Sequence, residues 1–207
     1  MYGSVPDHGA WLDECGDWLE PSEGVRREPR PDLGRDGAGG GGVSVGTRNV
    51  IKQVLTSESC RDVFASPDDP RDIAEIIDDI VGGRSNVARV QFVDGGETAP
   101  AGTCCRGFIN EDGSSGLLIT INSAYWNDPA GHPQGVAIMA VVSALSGQIP
   151  ALQAGFNFGQ LRALTLLHEI GHALYQSRLG TGIRPDLSNE LTSLDNDINI
   201  LRGCFSW

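Results

Sequence analysis

The chain has 207 residues, 40% of them apolar, with 15 basic against 27 acidic side chains and a formal net charge of −12. That length suits one ordinary domain with some chain to spare. A chain this acidic offers no electrostatic footprint for a phosphate backbone or an anionic lipid surface, which sets nucleic acid and membrane surfaces aside as partners.

Residues 1–43 read as a flexible Gly/Pro-rich leader. They hold Pro6, Pro21, Pro29 and Pro31, the charged Arg26-Arg27-Glu28 and the tract Gly37-Ala38-Gly39-Gly40-Gly41-Gly42. Such a composition buries too little apolar surface to offset chain entropy. Trp11-Leu12 and Trp18-Leu19 recur seven residues apart and suit a short docked helix, although a partly ordered tail is the preferred reading. No basic segment followed by an apolar one opens the chain, so no secretory signal is read. Localisation stays open, with export as the tail of a longer polypeptide among the readings.

The folded domain is expected over 44–207. Val50, Ile51, Val54 and Leu55 have helical spacing, and 57–64 either extends that helix or starts another before Pro67 and Pro70. A helix over 71–81 sets Ile73, Ile76, Ile77 and Ile80 on one face and stops at Gly82-Gly83. Three runs of β character follow, 87–93, 107–110 and 117–122, and Asp112-Gly113 makes the last two a hairpin. Residues 125–133 read as polar loop. The apolar stretch 135–145 is helix or buried strand, and it is about half of the ~20 residues a membrane-spanning helix needs. After a second loop at 155–160 comes the clearest helix, 160 to about 178, ended by Gly180, Gly182 and Pro185. A final helix is expected over 191–201.

The five cysteines, Cys15, Cys60, Cys104, Cys105 and Cys204, form no CxxC pair, which disfavours a Cys-built zinc site. Adjacent Cys104 and Cys105 are poorly placed to bridge each other. The disulfide expected therefore joins one of them to Cys204 or Cys60, with free buried thiols as the alternative.

Chemistry concentrates in His168-Glu169-Ile170-Gly171-His172. On a helix, a spacing of four puts both imidazoles on one face about a turn apart, within reach of one tetrahedral ion. Glu169 projects beside them, where it can take a proton from a water activated by the metal. Chance alone puts HExxH in roughly one chain in a hundred of this size, so the surroundings decide. Leu161, Leu164, Leu166, Leu167, Ile170, Ala173 and Leu174 make the helix apolar nearly all round, hence interior. An unpaired carboxylate buried there is costly, and a metal gives it a role; the bland alternative is a stripe that faces water. Gly171 costs about 1 kcal/mol of helix propensity against Ala but lets another segment approach closely.

Catalytic zinc usually takes three protein ligands plus water. No histidine follows His172, and Tyr175 and Arg178 stand where a metzincin would place Gly and His. The third ligand should then be a carboxylate. Asp186, fourteen positions after His172 and beyond the turn at 180–185, is preferred over Glu190. Asp195 and Asp197 on the final helix are expected to be solvated. His132 is weighed as an oxyanion or substrate group against an exposed loop residue, and Tyr175 as a neighbour of the metal against core packing. Asn196 and Ser193 suit ligand-orienting partners, and helix capping explains Ser193 equally well.

Arg162 to His172, Pro185-Asp186, Ser193, Asn196 and Cys204, together with Gly-Leu-Leu-Ile-Thr-Ile-Asn at 116–122, resemble a group of bacterial HExxH proteins frequent in acidobacteria. The resemblance covers about a quarter of the chain. It implies an α+β, zincin-like fold, with a small antiparallel or mixed sheet packed on an active-site helix and a C-terminal helix. It also supports Asp186 as third ligand. The function expected from the HExxH chemistry is a zinc metalloendopeptidase acting on a peptide or protein substrate. His168, His172 and Asp186 would hold Zn2+, and Glu169 would be the general base. The alternatives are a non-catalytic zinc-stabilised domain, and the peptidase or toxin-like tail of a larger exported protein.

Overall fold

Short polar caps cut the apolar pattern into separate helices in the computed structural model, which describes residues 43–66, 71–93, 101–148, 152, 156–186 and 190–205. Helix α1 (Val45–Val54) starts where the Ser44 hydroxyl accepts from the Thr47 N–H, and it buries Ile51 and Val54. Ser57 opens a distinct helix, α2 (Glu58–Phe64). Asp72 caps α3 (Ile73–Val81), whose Ile73, Ile77 and Ile80 face the core.

The sheet holds β1 (Ala88–Val93), β2 (Ala101–Ile109) and β3 (Ser115–Asn122) in the order β1-β3-β2. Strands β2 and β3 form the expected antiparallel hairpin, whereas β1 pairs with β3 in parallel. The fold class is therefore α+β with a small mixed sheet. Strand β2 begins earlier than its sequence suggests, and its register shifts between Cys104 and Phe108; a bulge of this kind breaks the alternation that marks a strand.

The stretch read as polar loop is corrected at its start. The Asn122 side chain accepts from the Ala124 and Tyr125 N–H groups and opens a short helix, α4 (Ser123–Asn127), which buries Tyr125 and Trp126. Trp126 packs edge-on against Phe92, with ring centroids 5.1 Å apart. The undecided apolar stretch is a helix, α5 (Pro133–Leu145). The loop expected at 155–160 holds at 156–157 and ends sooner than expected, because α6 (Phe158–Gln176) starts at Phe158, where Asn157 and Gln160 form a reciprocal capping box. Helix α7 (Glu190–Cys204) completes the described part of the chain.

Helix α6 is the interior element its sequence predicts: every residue from Ala163 to Leu174 is buried. It packs on α1, α5 and α7 and on strands β2 and β3. Arg162, on its first turns, donates to the Trp126 and Asn127 carbonyls and ties α4 to it. None of the described helices is long and apolar enough to cross a membrane. The described residues fall in one unit spanning Leu33–Trp207, and the leader over 1–43 lies outside them but for Val43.

The disulfide expectation is corrected. Cys60 on α2 pairs with Cys204 on α7, and both are fully buried. These two helices pack against each other, and the Ser59 hydroxyl donates to the Gly203 carbonyl at 2.8 Å. Cys104 and Cys105 lie instead on β2. The bridge spans 144 positions, so its loss frees a long loop in the unfolded chain. Cys60→Ser or Cys204→Ser should lower unfolding free energy by about 2–5 kcal/mol. Urea denaturation of oxidised protein checks this, and a midpoint unmoved by either change would mean the thiols are not bridged.

Candidate metal centre

The two histidines meet because α6 stacks them one turn apart. Their ring centroids are 4.6 Å apart, with the planes at 82°. Beyond Gln176 the chain reverses. Arg178 takes the left-handed conformation at φ 59°, and the Leu179 N–H donates to the Leu174 carbonyl at 2.8 Å, which closes the helix. The returning segment lays Ile183 directly over Gly171.

That path delivers Asp186 to the histidines. Its Oδ2 lies 3.1 Å from His168 Nε2 and 3.4 Å from His172 Nε2. One donor atom from each of the three residues falls within 4.8 Å of the others. The imidazoles are buried, but the Asp186 side chain is 31% exposed, so the cluster is reached from its carboxylate side. Glu190, the rival ligand, opens α7, and its side chain lies outside the described residues.

Glu169 is buried beside the cluster and does not join it. The Thr103 hydroxyl on β2 sits 2.8 Å from both Glu169 Oε2 and the Glu169 backbone carbonyl, with one proton to donate between them. Asp197 is a correction. Rather than being solvated, its side chain is 15% exposed and its Oδ1 lies 2.8 Å from His168 Nδ1. Asn196 reaches Asp186 Oδ1 at 2.8 Å. Asp195 is exposed as expected, and Ser193 lies inside α7 rather than at its cap. Tyr175 is 41% exposed, which does not fit a core role. His132 packs edge-on against Tyr125 at 5.4 Å, and is not in the cluster.

Burial works against a charge on His168, yet hydrogen bonds to Asp186 and Asp197 outweigh it and raise its pKa to about 10. Burial would likewise raise the Asp186 carboxyl, but its bonds to His168 and His172 hold it far below the usual carboxylate range. The physical cause is convergence. Two ring nitrogens and a carboxylate oxygen aim at one small volume, and their lone pairs repel unless a cation stands among them. A proton can fill that role, and so can a divalent metal. Two imidazoles and one carboxylate oxygen suit zinc, and the same set suits iron(II). The residues therefore fit a metal without naming which one.

Fold and site together define an α+β protein in which two histidines of an interior helix, His168 and His172, meet Asp186 of the segment that follows it. Comparison with protein-family models, curated proteins and solved structures finds no match in any of the three.

Proposed function

We propose that the protein is a zinc metallopeptidase of zincin type. The observation that carries the reading is the approach of Asp186 to both imidazoles of the HExxH motif, with Glu169 buried alongside and outside the donor set. His168, His172 and Asp186 would hold the ion. Zinc bound there supplies a Lewis acid that makes water nucleophilic near neutral pH. Glu169 then accepts the proton of the attacking water and returns it to the departing amine. The Thr103 hydroxyl lies between Oε2 and the Glu169 backbone carbonyl, which positions the carboxylate, and Oε1 would be the proton acceptor. Glu169 is also what separates this reading from iron chemistry, because a base beside the first ligand serves hydrolysis.

A zinc that merely staples the fold is less well supported. Structural sites are closed by four protein ligands, whereas three donors converge among the described residues. Helix α7 is already fastened by the Cys60–Cys204 bridge.

Metal removal tests the proposal. Treatment with a chelator should abolish cleavage of an unfolded protein substrate, and about one equivalent of zinc should restore it. Purified protein that carries no metal, or zinc-loaded protein inert on a broad peptide mixture, would refute the reading. Chelation that unfolds the chain, with no cleavage before or after, would favour the structural zinc instead.

A further inference from the structure

Helix α7 presents two consecutive polar side chains to two different residues of the cluster. Neighbours on a helix point roughly 100° apart, so a single pair can reach two separate targets, and this pair does. Asn196 turns toward the segment carrying Asp186, and Asp197 turns toward His168 on α6.

The contacts of Asn196 are complete. Its Nδ2 donates to Asp186 Oδ1 and to the Arg184 carbonyl, each at 2.8 Å, and its Oδ1 accepts from the Arg184 N–H at 3.4 Å. Both amide hydrogens and the amide oxygen are used. At 5% exposure, Asn196 is more buried than the carboxylate it holds. A buried amide satisfied on every side is a rigid support. The two oxygens of Asp186 are thereby divided: Oδ1 faces the amide, and Oδ2 faces both imidazoles.

We propose that the Asn196-Asp197 pair sets the coordination number of the centre. Asn196 keeps Asp186 a one-oxygen ligand, so three protein donors leave one tetrahedral position for water or substrate. Asp197 accepts from Nδ1–H of His168 and so leaves Nε2 as the ligand atom. Were Oδ1 free, the carboxylate could turn to bind through both oxygens, fill the open position and favour higher-coordinate ions. Both are positioning residues. The inference rests on the metal reading above and adds what fixes the number of ligands.

Cobalt(II) substitution of the full chain tests it, because visible absorption separates four-coordinate cobalt from higher-coordinate forms. The wild type should give the intense spectrum of a tetrahedral centre. Asn196→Ala should weaken that spectrum and reduce zinc affinity by roughly 10–100-fold. In an Asp186→Ala background the same change should cost no further affinity, since its target is gone. Asn196→Ser, which keeps a polar group in the buried site, is the second variant should alanine not fold, and should move the same two readouts. An unchanged spectrum and affinity, or an equal loss in both backgrounds, overturns the inference and leaves the metal reading standing. A wild-type chain that takes up neither zinc nor cobalt overturns both.

Discussion

Glu169→Gln should abolish hydrolysis while the metal stays bound. Glutamine has nearly the shape of glutamate, and its side-chain oxygen can still accept from the Thr103 hydroxyl that now meets Oε2 at 2.8 Å. The fold around α6 is therefore kept. What disappears is a group able to take a proton. General-base assistance typically contributes 10²–10⁴-fold, so kcat should fall by about that factor. The negative charge of Glu169 also favours a cation on His168, so a small weakening of zinc binding is expected beside the large loss in turnover. Metal content and peptide cleavage measured on the same preparation separate the two effects. Undiminished cleavage by a zinc-loaded variant would remove Glu169 from the mechanism.

What the sequence reveals about this site is what short-range geometry dictates. His168 and His172 share a helix face by spacing alone, and the apolar residues around them place that helix inside before any tertiary contact is known. The hairpin of β2 and β3 is similarly local, because Asp112-Gly113 sits between its strands. Long-range partners leave no such trace. Thr103 lies 66 positions from Glu169, and Asp197 lies 29 from His168. Asp197 misleads for a further reason. It shares a polar stretch with Asp195, Asn196 and Asn199, which by pattern is a solvated face, yet part of that face turns inward to the cluster. Tyr125 and Trp126 are obscured in the same way by Asn127 and Asp128 beside them, although both rings are buried. The pairing of Cys60 with Cys204 follows from the packing of α2 on α7, which no local pattern specifies. Sequence narrows the expected third ligand to a carboxylate. The approach of Asp186 to both imidazoles depends on how the segment after α6 folds back.

Gly171→Ala should damage the metal centre although Gly171 ligates nothing. Helix propensity alone predicts a gain of about 1 kcal/mol for alanine within a helix. Packing predicts the reverse. A Cβ at Gly171 would stand 2.5–2.9 Å from Cγ1, Cβ and Cγ2 of Ile183. Ile183 cannot swing clear, because it is branched at Cβ and 1% exposed. Nor can its backbone retreat, since Gly182 already lies against the Val63 carbonyl of α2, so closely that a Cβ there would collide with it. The segment is held between α6 and α2. Overpacking of this kind costs about 1–3 kcal/mol, enough to cancel the propensity gain and leave the domain destabilised by up to about 2 kcal/mol. Displacement then passes three residues along the chain to Asp186, whose Oδ2 must stay within reach of two fixed imidazoles. Zinc affinity should fall by roughly 10-fold or more, a loss in the range seen when the support of a ligand is disturbed. Urea denaturation of metal-free protein reads the packing effect, and competition with a chromogenic chelator reads the effect on the site. A variant more stable by about 1 kcal/mol with unaltered zinc affinity would show that propensity wins, and that Ile183 does not hold Asp186 in place.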